Sequence, residues 1–158
     1  MATIRLHETT TATPQQFLAA LTDFGPGRSE LFSATSDDFL EVHAWGPTSA
    51  DVTEGTKSAW ERLEYDWSNP SRVVMKTIDS NLWGGASGHV YTITRNGSGT
   101  TDVDVVVVRE GKNTLGRVSG LLLATIAKGT LAKALAKTVK AVEARNDIRS
   151  GAAPTTPA

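Results

Sequence analysis

An α+β fold is predicted, with a seven-stranded antiparallel sheet and one long C-terminal helix, and three observations predict it. First, Thr114 to Asn146 contains no proline, is rich in Ala, Leu and Lys, and repeats apolar residues at helical spacing: Leu115, Val118, Leu122, Ile126, Leu131, Leu135, Val139 and Val142. Second, from Asp38 to Arg109 the apolar period drops to two and stays there. Third, turn-forming stretches at Gly46-Pro47-Thr48, Gly55, Ser68-Asn69-Pro70-Ser71 and Asn96-Gly97-Ser98-Gly99 cut that region into consecutive hairpins. Hairpins in series make an antiparallel meander, not βαβ units.

In chain order, Ala2 to Glu8 alternates, with Ile4 and Leu6 on one side, and is a half-buried strand. Thr13 is placed to cap a helix whose first position is Pro14, and Phe17, Leu18 and Leu21 form its apolar face up to Phe24. Gly25-Pro26-Gly27 ends it, and Arg28 to Phe32 forms one further helical turn. Strands are then expected at Phe39 to Trp45, Ala50 to Glu54, Ala59 to Trp67, Arg72 to Ile78, Ser87 to Arg95 and Thr101 to Arg109. The last carries Val103, Val105 and Val107 on one face, which is expected to meet the long helix. That helix extends about 45–50 Å at 1.5 Å per residue, more than one wall of such a domain needs, so the sheet is expected to wrap around it. Lys128, Lys133, Lys137 and Lys140 form its solvated outer face.

The 158 residues, with a formal charge of -1 and no cysteine, suit one domain, expected over 1–148 with a disordered tail at 149–158. The charge gives no reason to expect nucleic acid. Disulfides, thiolate metal sites and cysteine nucleophiles are excluded. Three widely spaced histidines suggest no metal site, and no cofactor motif is present. MATIRLHETT shows no basic-then-apolar leader, and the most apolar run, Val118 to Ala127, is too short to span a bilayer. A cytoplasmic protein without membrane association is expected; the oligomeric state is left open.

Thr13-Pro14-Gln15-Gln16-Phe17 leading to Leu21-Thr22-Asp23-Phe24, the hairpin Trp60-Glu61-Arg62-Leu63-Glu64-Tyr65-Asp66-Trp67 to Val73-Val74-Met75, and the Gly-rich turn, valine strand and Leu/Ala/Lys helix that close the chain resemble the Bet v 1-like superfamily. This group is also called START-like or polyketide cyclase/dehydrase and lipid transport (SRPBCC). The resemblance covers Thr3 to Asn146. It implies a helix-grip fold, in which a curved sheet grips the C-terminal helix around an apolar cavity. Carriers, cyclases and hydrolases share that fold, so function has to come from the site.

The aromatic set Trp45, Trp60, Trp67, Trp83, Tyr65 and Tyr91 is what a ring-bearing or lipid ligand needs, although any single tryptophan can equally fill core. Expected ligand contacts are Trp45, Tyr65, Trp67, Met75, Trp83, His89, Tyr91, Val105, Leu122 and Ile126. Asp79 to Gly88 places Trp83 in a loop with three glycines, either a lid or a hairpin connection covering the core. His43, His89 and Tyr91 are the candidate catalytic groups, without a sequence-local carboxylate to orient His89. Asp102 and Asp104 are expected to face solvent, and Glu41, Glu54, Glu61, Glu64, Arg62 and Arg72 to form an exposed cross-strand charge ladder. The expected function is binding of a small hydrophobic or aromatic molecule, such as a lipid or polyketide-type metabolite. The alternatives are a cyclase- or aromatase-like enzyme using cavity His and Tyr groups, and a partner-binding module.

Overall fold

The computed structural model describes residues 1–125 and 127–149; side chains at 123–125, 127 and 149 are not part of that description. Its elements are β1 (Ala2–Thr10), α1 (Pro14–Leu21), α2 (Arg28–Leu31), a 3-10 turn (Asp37–Phe39), β2 (Glu41–Trp45), β3 (Ser49–Gly55), β4 (Trp60–Asp66), β5 (Arg72–Ser80), β6 (Gly88–Arg95), β7 (Thr101–Arg109), α3 (Thr114–Thr125) and α4 (Ala127–Arg149). The seven strands form one antiparallel sheet in the order β1-β7-β6-β5-β4-β3-β2. This is the expected α+β helix-grip arrangement, a meander with the first strand added beside the last.

One expected strand boundary moves. Phe39 lies in the 3-10 turn, so β2 begins at Glu41. The closing helical region is described as α3 and α4, with residue 126 between them outside the described residues; of the expected tail at 149–158, Arg149 belongs to α4 and 150–158 lie outside the described residues. The helix-start signal at Thr13 works as written: its hydroxyl accepts from Gln16 N, and the Gln16 side chain accepts from Thr13 N, closing a capping box.

Strand alternation puts Ile4, Val52, Leu63, Tyr65, Val73, Met75, Ile93, Val103, Val105 and Val107 on the concave face, all buried. α4 crosses that face through Leu135, Val139 and Val142, and Thr138 Oγ1 donates to the Leu31 carbonyl at 2.7 Å, tying it to α2. Arg145 pairs with Asp23, and Glu143 accepts from Thr10 Oγ1 at 2.8 Å, so the second half of α4 is anchored to both ends of the first helical unit. Lys133, Lys137 and Lys140 are exposed. None of the described helices is long and apolar enough to cross a membrane.

α3 behaves differently. Its glycine side lies against the β5–β6 connection: a side chain at Gly116 would collide with the Leu82 carbonyl, and one at Gly120 would lie 3.7 Å from the Trp83 ring. Leu115, Val118, Leu121 and Leu122 consequently point outward and are largely exposed.

Candidate functional site

The concave face, α2 and α4 enclose a cavity of about 350 Å³. Its apolar wall comes from Leu6, Leu63, Met75, Val105 and Val107 of the sheet and Leu131, Ala134 and Leu135 of α4. Ser33, Ala34 and Thr35 after α2, with Gly55 and Ala59 at the β3–β4 turn, complete its rim. Trp83 forms part of the wall beneath α3 and is itself buried. The connection carrying it is pinned: Ser80 Oγ accepts from Leu82 N and Trp83 N, Gly84 N donates to Glu110 O, and Lys112 N donates to Leu82 O. Trp83 is therefore held as a fixed wall.

Two polar clusters face this cavity, and both use residues expected on an exposed ladder. Glu54 and Glu61 are direct cross-strand neighbours on β3 and β4. Their parity puts them with Val52 and with Leu63 and Tyr65, on the concave face, so the expectation of solvent exposure is corrected for both. Two like charges facing each other inside a protein need separate partners. Each has an arginine.

In the first cluster, Arg28 Nε donates to Glu54 Oε2 at 2.8 Å, with side-chain exposures of 1% and 11%. Its Nη1 donates to the carbonyls of Leu21 (3.1 Å) and Asp23 (2.8 Å), and its Nη2 to Tyr65 Oη (3.1 Å). Tyr65 in turn donates to Glu54. The guanidinium also lies 4.5 Å from the ring centres of Phe24 and Phe32. Burial opposes its charge, but Tyr65 and Glu54 outweigh that and hold the Arg28 pKa above its ordinary value. Burial, reinforced by Glu54, pushes the Tyr65 phenol well above its ordinary value.

The second cluster draws one residue from each of four adjacent strands: Glu61 on β4, Thr77 on β5, His89 on β6 and Arg109 on β7. Arg109 Nη2 lies 2.8 Å from Glu61 Oε1, and Thr77 Oγ1 donates to Glu61 Oε2 at 3.2 Å. Arg109 Nη2 also donates to His89 Nε2 at 2.5 Å, and the guanidinium sits 5.3 Å from the Trp83 ring centre. Burial raises the Glu61 carboxyl against the pull of Arg109, and burial together with the Arg109 charge holds His89 well below the usual imidazole value. Tyr91, one row along, has its phenol pushed up to about 12 by burial. Its hydroxyl makes no hydrogen bond to the described residues.

Of the residues expected to touch ligand, Tyr65, Met75, Trp83, His89, Tyr91 and Val105 line this cavity. Three of the described ones, Trp45, Trp67 and Leu122, do not. A register shift between Val42 and Ala44 separates the faces of His43 and Trp45. His43 sits on the outer side with Nε2 2.8 Å from Thr53 Oγ1, and so is removed from the candidate catalytic groups. Trp45 lies opposite Ala50 at the sheet edge, 53% exposed and edge-on to Phe24 at 5.5 Å. It borders an open groove of about 560 Å³ with Asp51, Glu64 and Asp66, where Asp51 is already paired with Arg62 at 2.7 Å. Trp67 is core, its indole N–H donating to the Pro47 carbonyl at 2.9 Å. Leu122 is 51% exposed because the glycine side of α3 faces the protein. Ile126 lies outside the described residues. Ser87 is occupied by Glu110, whose N–H donates to its hydroxyl at 2.8 Å.

Arg28, Glu54, Glu61 and Arg109 went unrecognised in the sequence, yet a signal was available. Glu54, Glu61 and Arg109 each continue the inward register of apolar neighbours two residues away: Val52, Leu63 and Val107.

No protein-family model matches the chain, and no curated sequence resembles it significantly. Its fold does match solved structures. TTHA0849 from Thermus thermophilus superposes with a TM-score of 0.70 at 15% identity, covering 94% of this chain and 99% of that one. The Zhui aromatase/cyclase from a Streptomyces species gives 0.72 at 13% identity, covering 92% and 95%. A START superfamily protein from Mycobacterium smegmatis gives 0.64 at 13% identity, covering 90% and 95%. The chain thus shares the helix-grip fold of these structures, the fold that the resemblance in its sequence implied.

Proposed function

We propose that this chain is a cytoplasmic binder of a small hydrophobic or aromatic molecule, a lipid or polyketide-type metabolite, held between the sheet and α4. The observation that carries this reading is the cavity itself. At about 350 Å³ it falls within the range of small-molecule sites, and it combines an apolar wall with a few convergent polar groups. The ligand contacts on this reading are Tyr65, Met75, Trp83, His89, Tyr91 and Val105. Apolar burial supplies about 25 cal/mol per Å², partly offset by ordering costs, and the polar groups orient the ligand. Native mass spectrometry against lipid and aromatic-metabolite libraries, followed by thermal unfolding, tests it. A retained ligand is expected to add about 2.7 kcal/mol of stability at a concentration one hundred times its Kd. No bound species and no thermal shift sink the reading.

A second reading, an enzyme of cyclase or aromatase type, is favoured by one observation: His89, Tyr91, Glu61 and Arg109 converge on one cavity. The Zhui structural neighbour is an aromatase/cyclase. Turnover of a reactive poly-β-ketone, lost in Tyr91→Phe and His89→Asn variants that still bind ligand, supports it. Binding without turnover leaves the carrier reading in place.

A further inference from the structure

We infer that His89 presents a fixed Nδ1–H donor to the cavity, and that the ligand is consequently recognised through an uncharged oxygen acceptor, a ketone- or quinone-type carbonyl, and not through a carboxylate or phosphate. This rests on the cavity-binding reading and specifies its ligand class.

The tautomer follows from the partner. A guanidinium has donors and no acceptor. Arg109 Nη2 lies 2.5 Å from His89 Nε2, so that nitrogen must offer its lone pair. The ring is then neutral, with its proton on Nδ1. A protonated imidazole would set donor against donor and cation against cation. Glu61 Oε1 lies 2.8 Å from the same Nη2 and holds Arg109 in place, which fixes the geometry that selects the tautomer.

Nδ1 makes no hydrogen bond to the described residues, although His89 lines the cavity. It is not sealed away: among the described residues, Asn146 Nδ2 is the one enclosed side-chain polar atom without a partner. The Tyr91 hydroxyl is in the same position, lining the cavity without a partner among those residues. A donor and a donor–acceptor group thus open on the same space.

Charge decides what they accept. The two cations that line the cavity among the described residues, Arg28 and Arg109, are each neutralised by a carboxylate, Glu54 and Glu61. An anionic ligand seeking Arg109 would have to displace Glu61, leaving a buried carboxylate uncompensated. A neutral carbonyl takes the Nδ1–H bond and leaves both pairs intact.

Three probes of one ring shape separate the possibilities: 2-acetonaphthone, 2-ethylnaphthalene and 2-naphthoate, titrated calorimetrically near neutral pH. The ketone is expected to bind about tenfold more tightly than either of the others. Read as the ratio of ketone to ethylnaphthalene affinity within each variant, the advantage is lost in His89→Phe and kept in His89→Asn, whose amide places a donor near the Nδ1 position. Nitrogen-15 NMR of the unmodified protein reads the tautomer without any variant, and the Nδ1–H resonance is expected to shift when the ketone is added. A ring carrying its proton on Nε2, or on both nitrogens, overturns the inference. So does naphthoate binding as tightly as the ketone, or equal binding of ketone and ethylnaphthalene. Failure of all three probes to bind overturns the cavity reading itself, and this inference with it.

Discussion

The two arginines in the cavity wall make the same kind of ion pair and serve different ends. Arg28 has nearly every donor satisfied by the protein, with two backbone carbonyls, Glu54 and Tyr65 around it and Phe24 and Phe32 beside its plane. It clamps α2 to the sheet and has little left for a ligand. Among the described residues Arg109 bonds only side chains, Glu61 and His89, and it lies beside Trp83 in the cavity wall. Burial pulls its pKa down, and Glu61 offsets only part of that, whereas the partners of Arg28 more than offset its burial. A buried charge surrounded by backbone is architecture. A buried charge surrounded by side chains that themselves face a cavity is a candidate site.

The strongest way to break this comparison is to remove each arginine. Arg28→Met leaves Glu54 and two carbonyls without their donor and is expected to cost about 3–5 kcal/mol in urea unfolding. Next, Trp83→Ala removes the wall beneath α3, with an expected loss of about 3 kcal/mol and of ligand-induced thermal stabilisation. Arg109→Met is expected to cost less than Arg28→Met, about 2 kcal/mol, while weakening ligand binding more. Equal stability costs, or an unaltered ligand affinity, would remove the distinction.

Smaller effects sharpen it. The folded-state pKa of His89 is depressed below 6.5, so its contribution to stability is complete above that value and is lost as pH falls below it, toward the folded value. Unfolding free energy is expected to decline on acidification below pH 6.5 with a slope of at most about 1.4 kcal/mol per pH unit from this group, and His89→Asn should flatten that limb. His7 has the opposite sign, since its hydrogen bond to Asp104 raises its pKa, but it is exposed and contributes little. At the small end, His43→Ala, on the outer face, is expected to change stability by under about 0.5 kcal/mol and ligand affinity not at all.

Much of this molecule was legible in the residues alone. Period-two alternation, the turn stretches and the Thr13-Pro14 cap are local features, and local features survive folding. They specified seven strands, the short first helices and the closing helical region. The polar site was less accessible. Glu54, Glu61 and Arg109 have inward parity, but parity does not announce that a charge will be buried; that requires a partner from a distant strand, such as Arg109 for Glu61 or Arg28 for Glu54. The irregular pairing around His43 was also invisible, because a bulge is a relation between two strands and not a property of one. α3 shows the same limit: its leucines have perfectly good helical spacing, yet the helix presents its glycines inward, because only they allow close approach to Leu82 and Trp83.

The sequence by itself therefore determined the elements, their order and the apolar face of the sheet, since these depend on spacing along the chain. Tertiary structure decided which charges meet, which nitrogen of His89 carries the proton and which helix walls the cavity. Each of those depends on groups far apart in sequence coming within hydrogen-bond or van der Waals distance, and only the folded chain supplies that proximity.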